Sequence, residues 1–312
     1  MIEAKGLSKR YGDTLAVDDL SFTIQPGMVT GFLGPNGAGK STTMRLILGL
    51  DRATKGSVTV NGSPYAAHRR PLHEVGALLE AKAIHSGRTA YNNLLAIAQT
   101  NHIPRKRIDE VLTLVGLDTV ADKRAGNFSL GMGQRLGIAT ALLGDPSILI
   151  LDEPVNGLDP EGILWVRTLL KHIAAQGKTV FVSSHLMTEM SLTADHLIVI
   201  GRGKLIADAS TEEVIRMSSA AHVRVRSPQA TALAELIKAG GGQVEPAGDS
   251  TLAVTGLTPE AVGDLAAANG VTLHELVLAQ ASLEEAFIEL TEDSADYRAP
   301  GQPAARTEGM PA

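Results

Sequence analysis

Cysteine is absent from all 312 residues. That excludes disulfides and thiolate-held metals, and it suits a reducing compartment. Aromatic residues are scarce at 3%, so any aromatic beside a functional loop stands against an almost empty background. Excess positive charge is also missing. Lys and Arg number 28 against 34 Asp and Glu, a net charge of −6, which argues against a broad nucleic-acid-binding surface. No apolar run approaches the roughly 18 residues of a membrane span, and "MIEAKGLSKRYG" lacks the apolar core of a secretion signal. Work at a membrane would leave the spanning to another polypeptide. What remains is a balance typical of soluble folded chains, 44% hydrophobic and 20% charged, at a length that predicts two folding units.

From Met1 to about Asp208 short β-like runs alternate with helical stretches. "MVTGFL" (Met28 to Leu33), "SILIL" (Ser147 to Leu151) and "KTVFVSS" (Lys178 to Ser184) are unbroken enough for strands covered on both faces of a parallel sheet. "SFTI" (Ser21 to Ile24), "SVTVNG" (Ser57 to Gly62) and "LIVIGRGKLIADA" (Leu197 to Ala209) read as hairpin or antiparallel strands. Between Thr89 and Leu143 the period turns helical, in "YNNLLAIA", "RIDEVLTLV" and "GQRLGIATALL". After about Met217 a second pattern starts, with the order β-α-β-β-α-β followed by the helix "SLEEAFIEL". That order predicts a small α+β, ferredoxin-like unit. The closing "SADYRAPGQPAARTEGMPA" is rich in Pro, Ala and Gly and is expected to be disordered. The expected division is 1–216, with a helical insertion at about 85–145, then 217–293, then a tail at 294–312.

Chemistry concentrates in a few places. "GPNGAGKST" spans Gly34, Pro35, Asn36, Gly37, Ala38, Gly39, Lys40, Ser41 and Thr42, between an expected strand and an expected helix. Glycines there let backbone N–H groups converge on phosphate oxygens at a helix N-terminus. Lys40 would reach the β- and γ-phosphates, and the Ser41 hydroxyl would sit on Mg²⁺. A buried strand then delivers Asp152 and Glu153 in "SILILDEP", at the end of the sheet where ligands gather. Asp152 suits the metal through water, and Glu153 suits the attacking water. "TVFVSSHL" places His185 just past another strand, within reach of a γ-phosphate at the same rim. Tyr11 in "KRYGDTLAV" has two readings, a ring stacked on a base or a ring packing a turn. A second serine–glycine segment, "NFSLGMGQRLG" (Asn127 to Gly137), lies some ninety residues after the first, although one nucleotide needs one cradle.

Residues 1 to about 215 resemble the nucleotide-binding subunit of an ATP-binding-cassette (ABC) transporter. "GPNGAGKST" stands as Walker A, "ILILDEP" as Walker B, "NGLD" (Asn156 to Asp159) as the D-loop and His185 as the switch histidine. "FSLGMGQRL" stands where the family has its LSGGQ signature. The resemblance implies a P-loop NTPase cassette with a parallel core sheet, an antiparallel β subdomain and a helical insertion. It implies ATP and Mg²⁺ as cofactors, a separate membrane permease as partner, and a peripheral place on the cytoplasmic face of the cell membrane. It also accounts for the second segment: two copies meet head to tail, and Ser129, Gly131 and Gly133 of one copy cap the γ-phosphate held by the other.

Two departures from the family pattern matter. Positions Phe128, Leu130 and Met132 differ from LSGGQ, and Glu80 stands where most members carry the Q-loop glutamine, next to the Mg²⁺. Glu80, the "FSLGM" form and a C-terminal unit ending in "SLEEAFIELT" resemble the bacitracin and lantibiotic resistance branch of ABC exporters. Two rival readings remain. A soluble ABC machine acting on DNA or the ribosome would carry tandem cassettes or basic linkers, whereas this chain has one cassette and an acidic balance. A non-hydrolysing ATP sensor would lack Glu153 or His185, and both are present.

Overall fold

The computed structural model describes residues 1–80, 84–218, 222–279 and 281–292; the tail expected to be disordered lies outside them. Strands β1 (Ile2–Tyr11) and β2 (Thr14–Ile24) form a hairpin, and β3 (Val29–Leu33) runs into the glycine-rich loop and α1 (Lys40–Ile47). β4 (Lys55–Val60) returns to pair with β1, and α2 (Pro71–Glu74) leads into β5 (Val75–Leu78). The helical insertion follows as α3 (Ala90–Thr100), α4 (Arg105–Leu114) and α5 (Leu130–Leu142). Next come β6 (Ile148–Leu151), α6 (Pro160–Ala175), β7 (Thr179–Ser183), α7 (Met187–Thr193), β8 (His196–Gly201), β9 (Lys204–Ser210) and α8 (Thr211–Arg216).

The central sheet has the order β5-β6-β7-β3-β8-β9 and is parallel except for β9. Every residue of β3, β6 and β7 is buried, which is why these runs are apolar without alternation. One face packs on the antiparallel sheet β2-β1-β4. Three of the five phenylalanines meet there: Phe22, Phe32 and Phe181 have ring centroids 5.0–6.4 Å apart. The other face packs on α3 to α7. β1 is ten residues long yet carries no clean strand pattern in sequence. Gly6 has φ 56° and the pairing with β2 slips beyond Ala4, so a bulge breaks the two-residue alternation.

The C-terminal unit comprises β10 (His222–Arg226), α9 (Ala230–Ala239), β11 (Gln243–Gly248), β12 (Thr251–Thr255), α10 (Pro259–Ala268) and β13 (Glu275–Ala279). Its sheet order β11-β12-β10-β13, antiparallel throughout, is that of a ferredoxin-like fold. Val223, Val225, Val254, Leu233, Ile237 and Val262 make its separate core. The last helix, α11 (Leu283–Thr291), does not join that core. It packs on α7 and α8, and Leu283 and Ala286 are buried within the cassette's own cluster. Its Ser282 and Glu285 form a reciprocal capping box, two satisfied N-terminal donors that define where the helix starts. Leu283→Ala is expected to destabilise the cassette by about 2–4 kcal/mol; an unchanged denaturation midpoint would mean that α11 adds nothing to it.

Candidate functional site

The cradle is shaped by what its glycines avoid. Gly39, the residue before α1, has φ 103°, and a Cβ there would overlap the carbonyl of Ala16. A Cβ at Gly34 would meet the Ile200 carbonyl. Both positions therefore require the missing side chain, and the loop can close on a ligand only with glycine there. Asn36 to Thr42 border the cavity together with Ala16, Asp152 and Glu153. Gly34 and Pro35 act through their carbonyls, which accept from Lys40 Nζ at 2.5 and 3.2 Å. Burial pushes the Lys40 ammonium below its usual range, with Glu153 and then Asp152 opposing that shift. A bound polyphosphate would favour the charged form further.

Two strand ends, those of β6 and β7, deliver the remaining groups to one rim. Ser41 Oγ donates to Asp152 Oδ2 at 2.7 Å, which ties the cradle to the end of β6. Asp152 Oδ1 accepts a short bond from Ser183 Oγ at the end of β7, and the same Oγ accepts the Glu153 amide at 3.0 Å. His185 Nδ1 lies 2.7 Å from Glu153 Oε2, and its amide donates to that oxygen at 3.3 Å. Glu153 itself has φ 51°. A left-handed backbone at a non-glycine residue costs of order 1–3 kcal/mol and persists only where its surroundings impose it.

The residues fit a Mg²⁺-nucleotide. Ser41 and Asp152 present two hard oxygens 2.7 Å apart beside the lysine. No cluster of three or more His, Cys, Asp or Glu capable of holding a metal occurs among the described residues. Two such oxygens suit a magnesium site completed by phosphate oxygens and water rather than by a protein cage. Glu80 stands just beyond β5, in a groove it shares with Ser41, Arg45 and Asp152. Tyr11 is 44% exposed. Its hydroxyl donates to Asp51 Oδ2 at 2.7 Å, and the Lys9 ammonium lies 4.7 Å from the ring centroid. The phenol end is thus tethered to the segment that follows α1 rather than within its own turn, and the residue stays partly exposed.

The second serine–glycine segment opens α5. Ser129 Oγ accepts the Met132 amide at 3.2 Å and caps the helix. Neither Ser129 nor Gly131 nor Gly133 borders the chain's own cradle. Asp159 caps α6 through Gly162 N at 3.0 Å. Sequence reading missed Ala16, whose place at the cradle comes from a distant hairpin and leaves no local signal. It also missed Ser183, although "VSSHL" put that serine two residues before His185. Gln134 was missed as well; its position inside an apolar helix was the available clue.

A parallel sheet with a phosphate cradle, paired carboxylates and a histidine on one rim defines a nucleotide-binding cassette. The ABC transporter family model matches residues 17–156, and a domain family of unknown function matches residues 221–284. The uncharacterized ABC transporter ATP-binding protein YhcH of Bacillus subtilis is 37% identical over 300 residues, 93% of this chain and 96% of that protein. The bacitracin transport ATP-binding protein BcrA of Bacillus licheniformis is 43% identical over 67% of this chain and 69% of its own length. A solved structure of the ATP-binding subunit of an ABC transporter superposes with a TM-score of 0.64 at 26% identity, covering 69% of this chain and 92% of that one. The chain belongs to the family of ABC transporter ATP-binding proteins and resembles its bacitracin branch. Among the described residues no helix is long and apolar enough to cross a membrane.

Proposed function

We propose that this chain is the ATP-hydrolysing subunit of an ABC transporter. In this reading two copies close on two ATP molecules and drive a separate permease from the cytoplasmic face of the membrane. The observation that carries the reading is the Ser41–Asp152 contact, which links the cradle to the carboxylate rim beside Glu153 and His185. Residues 1–216 form the cassette and 217–293 an accessory unit, with α11 reaching back onto the cassette.

Lys40 turns its ammonium from the loop carbonyls to the β- and γ-phosphates, a stronger charge-assisted pairing. Ser41 Oγ and Asp152 would hold Mg²⁺, whose charge offsets that of the phosphate oxygens. Glu153 accepts a proton from the attacking water at its carboxylate. His185 holds Glu153 Oε2 through Nδ1, which leaves Nε2 to face the γ-phosphate. Tyr11 stacks on the base, and Glu80 would approach the metal from the groove it shares with Ser41 and Asp152. Ser129, Gly131 and Gly133 of the second copy cap the γ-phosphate, with Asp159 near the seam. ATP then belongs to the interface, and its hydrolysis releases the two copies. Likeness to a bacitracin transport protein supports export of an antibiotic, peptide or other drug-like compound, and the acidic balance fits no nucleic-acid partner.

Phosphate release from ATP tests the hydrolytic reading. The purified chain, alone or with its permease, is expected to release phosphate with Mg²⁺ and to stop on chelation. No release under either condition would overturn it.

A further inference from the structure

Gln134 lies in the second turn of α5 and is 2% exposed. Its Nε2 donates to the carbonyl oxygen of Glu153 at 3.1 Å. From the other side Ser183 Oγ accepts the Glu153 amide at 3.0 Å. Between these two contacts Glu153 holds its left-handed φ of 51°, a conformation that needs external support. The same helix touches the same segment once more. Leu130, in the first turn of α5, lies against Gly157, where any Cβ would overlap its side chain. One helix therefore grips both ends of the stretch from Glu153 to Gly157.

That helix begins at Ser129, in the segment proposed to cap the partner's triphosphate. We infer that Gln134 is a positioning residue that makes the placement of Glu153 in one copy depend on the nucleotide bound by the other. The inference rests on the head-to-tail reading given above. When the partner's γ-phosphate engages Ser129, α5 is drawn to one position, and the Gln134 amide carries the Glu153 carbonyl with it. Hydrogen bonds weaken steeply with distance and angle, so a sub-ångström shift of α5 decides whether Glu153 is held in place for its water. Coupling of this kind requires an element with two arrangements that both sites bias, and α5 is the element in contact with both. The two sites then fire cooperatively.

A merely structural Gln134 would satisfy its buried amide and affect stability alone. Gln134→Glu is nearly isosteric but offers no amide donor, and Gln134→Met fills the space without polarity. The readouts are phosphate release against ATP concentration and equilibrium ATP binding, for both variants and the wild-type chain with its permease. The wild type is expected to show a Hill coefficient well above one. In either folded variant kcat is expected to fall about tenfold and the Hill coefficient to drop to about one. Equilibrium ATP affinity should stay within about twofold, because Gln134 lies outside the cradle. Unchanged kcat and Hill coefficient in a folded variant would overturn the inference, even with a lowered melting temperature. So would a non-cooperative wild type, although the hydrolytic reading would stand. A wild type that releases no phosphate would instead fail the proposed function itself.

Discussion

Glu153→Gln is expected to lower ATP turnover by about 10²–10⁴-fold, the contribution of a positioned general base, while leaving ATP binding intact. The amide keeps the volume of the side chain and a partner for His185 Nδ1, now 2.7 Å from Oε2. It cannot take up the proton of the attacking water. With hydrolysis blocked, ATP persists at the seam between two copies, so the variant should run as a dimer on size exclusion at saturating Mg-ATP. Two outcomes would defeat this account. Undiminished phosphate release would remove Glu153 from its catalytic role. A variant that stays monomeric, alone and with its permease, would remove the head-to-tail sandwich.

Lys40→Ala is expected to weaken ATP binding by about 10–100-fold, the loss of one or two hydrogen bonds to a charged group. The ammonium is desolvated before any ligand arrives, since burial is the largest cause of its lowered pKa. A desolvated cation pairs with phosphate more strongly than an exposed one. Equilibrium binding of a fluorescent ATP analogue measures the effect. An unchanged dissociation constant would refute the assignment of the cradle. Far-ultraviolet dichroism controls for folding, because the backbone of α1 does not depend on the lysine side chain.

Much of this was legible along the chain. The glycine pattern from Gly34 to Gly39 announced a loop whose backbone N–H groups can converge, and Gly37 and Gly39 there take φ of 81° and 103°. The apolar runs of β3, β6 and β7 announced a sheet buried on both faces, because no residue of them had to meet water. The order of elements after Met217 was enough for a ferredoxin-like unit, since strand and helix periods differ and alternate cleanly there. Less legible were elements whose pattern is broken or local context thin. β1 hides behind a bulge at Gly6, and β5 is only four residues long. The helix α11 reads as part of the unit that precedes it. Its amphipathic period is the same whether the apolar face packs on α9 and α10 or, as found, on α7 and α8.

The sequence by itself determined the chemistry available: which backbone could cradle phosphate, which strand ends carried carboxylates, and where a histidine followed. These are local properties, set by dihedral freedom and by the alternation of apolar and polar residues. Only the tertiary structure decided which groups touch. Ser41 meets Asp152 across 111 residues of chain, Tyr11 meets Asp51 across 40, and Gln134 reaches the backbone of Glu153 from a neighbouring helix. Such contacts depend on how sheets and helices stack, which is settled by burying apolar surface over the whole domain. No stretch of the chain read alone contains that information.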